Sequence, residues 1–320
     1  MSPILISIIM PAYNAAAYIT QAIESILAQT HENWELLIVE DASQDDTLDK
    51  IEKYIYDKRI KIFRQNKTLG LLKSINLLLN EALGSYICFQ MPEDYAHPQR
   101  LALQLSTFMD QVQLGVLGTA YYKINTENTH QHTQIMPLSY KEIQAQMPKS
   151  CAMLFNTIML KREIVQRLGG LRLFFKAYAK AEYDWIYLLS EKYECMNLQT
   201  PLYYARIDEK KNKDMRPNIF IGNKIVQYLA VQRREKGKDD LQNNQYHALN
   251  MHIQKLLNPF QKDPSLIYRK YAEDYLQHRL HANALWAAWQ SICTAPNKIV
   301  NYRTYISCLR TTTLQKIIKS

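Results

Sequence analysis

Four apolar runs, Ile4–Met10, Trp34–Val39, Ile60–Phe63 and Tyr86–Phe89, alternate with three segments whose apolar residues recur at helical spacing. Ile19, Ala22, Ile23, Ile26 and Leu27 form the first stripe. Leu48, Ile51, Tyr54 and Ile55 form the second, in a helix starting near Asp46-Thr47, and Leu71–Leu83 holds the third. Such alternation builds βαβ units, with parallel strands covered by helices on both faces. The first run stops at Pro11-Ala12-Tyr13-Asn14, the second at Glu40-Asp41-Ala42-Ser43 and the fourth at Met91-Pro92-Glu93-Asp94. Asp41 and Glu93 each follow a strand directly, so both fall on one sheet edge, where open α/β sheets bind ligands.

Two adjacent carboxylates behind a proline admit two readings. Glu93 and Asp94 can hold a hard divalent cation, or they can serve the helix that starts near Pro98. The dinucleotide and P-loop glycine fingerprints are absent. Beyond Pro98 the pattern predicts a helix over Leu101–Phe108, a strand over Val116–Ile124 and a polar loop over Asn125–Thr133. His130 and His132 in that loop have no third ligand nearby. A strand is expected over Ala152–Leu160, then a turn at Gly169-Gly170. The helix opened by Ala181-Glu182-Tyr183-Asp184-Trp185 turns Trp185, Leu188 and Leu189 inward. Its two early acids also suit a helix N-terminus. Leu198–Ile207 reads as the last strand, and the charged run Asp208–Arg216 marks a boundary between a domain over 1–212 and a helical region over 213–320. In that region Ile221, Ile225 and Leu229 form one inward stripe and Leu285, Trp289 and Ile292 another, with Tyr268, Tyr271 and Tyr275 in a core.

A chain of 320 residues holds one large α/β domain and an annex. Five scattered cysteines without a C-x-x-C speak against a disulfide framework or a zinc site. The opening apolar stretch is too short for a secretory leader, and no run is long enough to span a bilayer. A cytoplasmic location is expected. The net charge of +9 is uneven: Tyr275–Ser320 contains no acid. Such a terminus suits an anionic membrane surface, a nucleic acid or plain solvent.

Six blocks, ISIIMPAYNAAAYITQAIESILAQT, WELLIVEDAS, GLLKSIN, YICFQMPEDYAHPQRL, AEYDW and PLYYARID, occur in an order and spacing that resemble the inverting glycosyltransferases of family 2, over about residues 4–210. The resemblance implies an α/β GT-A fold, Rossmann-like with a mainly parallel sheet and flanking helices, to which the C-terminal helical region is added. It implies a nucleotide-diphosphate sugar donor, a uridine nucleotide first and a deoxythymidine one next. Pro11, Tyr13, Asn14 and Asp41 would line the nucleoside site, with Lys73 and Asn76 by the donor crevice and Arg206 near the diphosphate. Glu93, Asp94 and Asp208 would hold Mg²⁺ or Mn²⁺. Glu182 stands at the position of the catalytic base, with Asp184 beside it. The family's D-x-D pair is represented here by Met91-Pro92-Glu93, and a common histidine by Phe155.

The resemblance thus implies a hexosyl- or N-acetylhexosaminyltransferase acting in cell-surface polysaccharide or lipopolysaccharide synthesis. Its acceptor would be a glycan or a lipid-linked sugar, and the basic terminus would give it peripheral contact with the inner face of the plasma membrane. Nucleic acid is not an expected partner. The altered D-x-D leaves an alternative, a non-catalytic protein of the same fold that binds a nucleotide sugar or a partner enzyme.

Overall fold

The computed structural model of the chain describes residues 4–207, 216–277 and 280–319, the side chains of 313–319 excepted. Asp208, expected among the metal ligands, lies outside the described residues. Two compact units divide the chain, Met1–Lys176 with Lys180–Asp208, and Ala177–Ala179 with Glu209–Ser320.

The first unit runs β1 (Ile6–Ala12), α1 (Ile19–Leu27), β2 (Trp34–Glu40), α2 (Thr47–Glu52), β3 (Ile60–Arg64), α3 (Leu71–Glu81), β4 (Tyr86–Phe89), β5 (Tyr95–Ala96), α4 (Arg100–Asp110), β6 (Leu114–Ile124), β7 (His130–Gln134), α5 (Tyr140–Gln146), β8 (Met159–Lys161), α6 (Arg162–Leu168), α7 (Ala181–Ser190) and β9 (Glu194–Arg206). Short 3₁₀ turns occupy Phe155–Thr157 and Leu173–Ala177. The strands form one sheet in the order β3-β2-β1-β4-β8-β6-β9-β5, with β7 beside β6. The first four strands expected from the sequence form its parallel half. β8 runs antiparallel to both β4 and β6, β9 pairs parallel with β6, and β5 pairs antiparallel with β9. The sheet is therefore mixed.

Every residue of β1 and β2 is buried, as strands covered on both faces must be. Ile6, Ile8 and Met10 of β1 pack with Ile19, Ala22, Ile23 and Ile26 of α1, the stripe read from the sequence. Each such buried isoleucine contributes about 1.5–3 kcal/mol. The segment 152–160 is a strand only in its last residues. Arg100 of α4 donates to the Asn156 carbonyl at 2.9 Å and Gln104 to the Thr157 carbonyl at 2.9 Å, so side chains take the acceptors a ladder would need. The expected polar loop at 125–133 likewise carries most of β7, whose residues are largely exposed.

The second unit contains α8 (Asn218–Lys236), α9 (Tyr246–Lys262), α10 (Leu266–Gln277), α11 (His281–Thr294) and α12 (Ile299–Lys319). Ile221, Ile225 and Leu229 are buried, as expected. Tyr271 and Tyr275 join a core with Ala284, Ala287, Ala288 and Cys308, while Tyr268 is only half-buried. Trp289 departs from the expected stripe. Alanines make the inward face of α11, which lets the neighbouring helices come close, and the tryptophans point out.

Candidate active site

β9 runs in the same direction as the parallel strands, because it is parallel to β6 and two antiparallel steps, through β8, separate β6 from β4. The C-terminal ends of β1, β2, β4 and β9 therefore share one edge. Tyr13 and Asn14, Asp41, the Gln90–Asp94 segment and Arg206 all lie there, while Pro11 is buried within β1.

The loops after β1 and β2 are knitted together. The Asn14 amide donates to Ser43 Oγ at 3.1 Å, and the Gln44 amide donates to Asn14 Oδ1 at 2.8 Å. The Ala15 amide donates to Thr47 Oγ1 at 2.7 Å and the Ala16 amide to Asp45 Oδ2 at 3.1 Å. Asn14 (φ 47°) and Ala42 (φ 58°) both adopt the left-handed conformation, which costs a non-glycine residue about 1–3 kcal/mol and clusters at functional sites. Tyr13 is left exposed at the rim. Asp41 is buried, and its oxygens accept the Leu69 amide at 2.6 Å and the Gly70 amide at 2.8 Å. It holds the entry to α3, and any base would meet only its remaining lone pairs.

After β4 the chain makes a tight turn. The Asp94 amide donates to the Met91 carbonyl at 3.1 Å, so Pro92 takes the position its fixed φ favours and Glu93 sits at the apex. Buried Gln90 closes the turn from inside, donating to the carbonyls of Met91 at 3.0 Å and Asp94 at 2.9 Å. Arg206 reaches in from the end of β9. Its Nε donates to the Glu93 carbonyl at 2.8 Å, and its terminal nitrogens donate to Asn125 O at 2.8 Å, Gln21 Oε1 at 3.1 Å and Asn128 Oδ1 at 2.7 Å. The guanidinium also lies 4.2 Å from the centre of the Tyr18 ring. All four acceptors are neutral, so Arg206 brings a positive charge to the edge with most of its donors engaged.

Asp94 and Glu93 differ sharply. Asp94 is 3% exposed, and it accepts the Arg206 amide at 2.7 Å and Asn156 Nδ2 at 2.9 Å. Burial, reinforced by the neighbouring Glu93 charge, pushes its pKa up to about 7 against the hydrogen bonds that favour the ionised form. Glu93 is half-buried, and among the described residues its carboxylate makes no hydrogen bond or ion pair.

The two acids of α7 are divided in the same way. Asp184 is fully buried and bound in two places by Arg172, whose Nε donates to Oδ2 at 2.6 Å while Nη2 meets Oδ1. Glu182, on the other side of the helix, is half-exposed and forms no hydrogen bond among the described residues. Trp185, one turn after Glu182, stands edge-on to Phe89 at 5.9 Å between ring centres. Phe155 completes this cluster, 4.1 Å from Phe89 and 6.0 Å from Trp185. That packing brings the first turn of α7 to the end of β4, where the Glu93 turn begins. Phe155 thus has a packing role.

Lys73 is exposed on the first turn of α3. Both ends of the Asn76 amide are engaged by Leu171, its Nδ2 donating to the carbonyl and its Oδ1 accepting the amide, each at 2.8 Å. A Cβ on Gly170 would lie 2.2 Å from Asn76 Oδ1, so only glycine fits there. Lys176 is a cation the sequence reading missed; a Cβ on Gly70 would lie 3.6 Å from its Nζ. Arg172, Asn156 and Tyr203, whose hydroxyl accepts the Met91 amide at 3.1 Å, were missed as well, since nothing local in the sequence marks their partners. Asp45-x-Thr47, a local side-chain-to-backbone turn at the start of α2, was visible in principle.

No group of three or more metal-ligating side chains occurs among the described residues. Met91 offers a thioether, which a hard cation ignores, and the Asp94 oxygens already accept two donors. Within the turn after β4, Glu93 alone presents an uncommitted carboxylate among the described residues. That set fits a cation that takes most of its oxygens from phosphates and water, as Mg²⁺ commonly does.

The family model described as "Glycosyl transferase family 2" matches residues 7–169. The putative glycosyltransferase EpsE of Bacillus subtilis is 32% identical over 231 residues, which cover 71% of this chain and 82% of EpsE. The Escherichia coli UDP-Glc:alpha-D-GlcNAc-diphosphoundecaprenol beta-1,3-glucosyltransferase WfgD is 29% identical over 60% of this chain and 72% of its own. An uncharacterized glycosyltransferase of Rickettsia conorii is matched over only 25% of its length. Among solved structures, S. aureus TarS 1-349 in complex with UDP superposes with a TM-score of 0.60 at 18% identity, covering 96% of this chain and 91% of that one. This chain therefore belongs to glycosyl transferase family 2, and its fold is GT-A.

Proposed function

We propose that the chain transfers a sugar from a uridine-diphosphate sugar to a lipid-linked or growing glycan, with inversion at the anomeric carbon, in cell-surface polysaccharide synthesis. One observation supports this reading best: Trp185, one turn after the uncommitted Glu182 on α7, packs edge-on against Phe89 at the end of β4, just before the turn of Glu93 that Arg206 holds. Glu182 takes the proton of the acceptor hydroxyl as that oxygen attacks. A single displacement, with no covalent intermediate, inverts the centre. Arg206 stabilises the charge gathering on the departing diphosphate through space, since most of its donors are engaged. Glu93 would hold Mg²⁺ or Mn²⁺ against the diphosphate, and a bound cation supplies Lewis-acid stabilisation of the leaving group. The loops carrying Tyr13, Asn14 and Asp41 surround the nucleoside, with Lys73 and Asn76 behind the crevice.

The names of WfgD, a UDP-Glc transferase acting on a diphosphoundecaprenol acceptor, and of TarS, solved with UDP and UDP-GlcNAc, support a uridine donor. The transferred sugar is a hexose or an N-acetylhexosamine. Met91 in the acid turn favours a second reading, a donor-binding protein without turnover. A thermal-shift panel of nucleotide diphosphates and nucleotide sugars tests the reading, because a ligand bound only by the folded state raises Tm. A shift with UDP and UDP-sugars, together with UDP release in the presence of a diphospholipid-linked sugar, is expected. A shift without turnover would favour the second reading, and no shift with any nucleotide would sink both.

A further inference from the structure

We propose that the face of the second unit carrying Trp286 and Trp289 is a docking surface for an anionic lipid bilayer. The two rings are 49% and 51% exposed, and they lie three residues apart on one face of α11. Tyr268 of α10 stands edge-on to Trp286 at 6.4 Å, and Tyr305 of α12 lies 5.9 Å from Trp289, so the rings form a band across three helices. On α12, Ile299, Tyr302, Ile306 and Leu309 are exposed at helical spacing. Large exposed apolar groups gathered in this way mark an interaction surface. Indole and phenol rings favour the headgroup level of a bilayer, where an apolar body and a polar tip are both satisfied.

Charge selects the occupant. From Tyr275 to Ser320 the chain has six lysines and arginines and no acid. Lys298 is neutralised by Asp263 at 3.0 Å, but Arg303 and Arg310 form no ion pair among the described residues. A second copy would set this basic face against itself, whereas an anionic surface complements it. No helix among the described residues is long and apolar enough to cross a membrane, so the face rests on the bilayer. This inference concerns where the protein stands and does not depend on the donor.

The chain supplies its own probe. Of four tryptophans, Trp34 and Trp185 are buried, so changes in emission report Trp286 and Trp289. The full chain is mixed with phosphatidylcholine vesicles and with phosphatidylcholine–phosphatidylglycerol vesicles, then followed by flotation and emission. Flotation and a blue shift are expected with phosphatidylglycerol only, falling as salt rises. The double variant W286S/W289S should bind at least about tenfold more weakly, having lost the apolar contact. Charge reversal in R303E/R310E should abolish binding, and it tests the same face should the first variant fold poorly. No flotation, binding unchanged in both variants, or self-association of the wild type that W286S/W289S abolishes would overturn the proposal.

Discussion

Arg172 grips Asp184 at two points, with its Nε 2.6 Å from Oδ2, while Glu182 two residues earlier stays uncommitted. Breaking a buried pair by removing one charge leaves the other without compensation, at a cost of about 3–5 kcal/mol. We expect Asp184→Asn to lower Tm markedly in a thermal melt, with Arg172→Met giving a comparable loss. A melt unchanged by Asp184→Asn would make Asp184 free for chemistry.

Asp94 should make stability fall as pH rises. Its folded pKa is raised to about 7 against an ordinary 3.8, so the folded chain holds a proton that the unfolded chain has released. Stability from this group is full below pH 4 and is lost as pH climbs to 7. At about 1.4 kcal/mol per pH unit, the gap bounds the effect at about 4 kcal/mol. Asp94→Asn should therefore melt above wild type at pH 8, with the difference closing towards pH 4. An equal difference at both values would show that Asp94 stays ionised.

At Gly170 the constraint is steric. A methyl group there meets Asn76 Oδ1, which already accepts the Leu171 amide at 2.8 Å. Gly170→Ala should destabilise by about 1–3 kcal/mol as an overpacked site, and Asn76→Ala by a similar amount through the unpaired amide. The two losses should fall well short of additive, since they break one contact. Urea midpoints of both single variants and the double variant measure this.

Glu93 tests the metal assignment. The rise in Tm caused by UDP should grow when Mn²⁺ is added to wild type, because the cation needs both the carboxylate and the diphosphate. Glu93→Gln should keep the UDP shift and lose the Mn²⁺ increment. An equal increment in both proteins would move the cation elsewhere.

The parallel half of the sheet was legible because its strands are buried runs separated by clear helical periods. The antiparallel half was less so. β8 has three residues and β5 two, too short for any pattern, and side chains of α4 rather than a ladder hold the chain before β8. At the site, the acids after β2 and β4 could be read as sharing one edge, since strand direction fixes it. What could not be read was their division of labour. Asp184 differs from Glu182 through Arg172, outside its helix, and Asp94 from Glu93 through Asn156 and the amide of Arg206, both far along the chain. Trp289 misled because helical spacing assigns large apolar residues inward, whereas here alanines pack the core.

The most direct measurement compares wild type with Glu182→Gln in one UDP-release assay, using a UDP-sugar and a diphospholipid-linked sugar, alongside the Kd for UDP. We expect the Kd and Tm to be unchanged while the rate falls by about 10²–10⁴, the usual worth of a positioned base. A variant that releases UDP at the wild-type rate would contradict the assignment of Glu182 and the mechanism built on it.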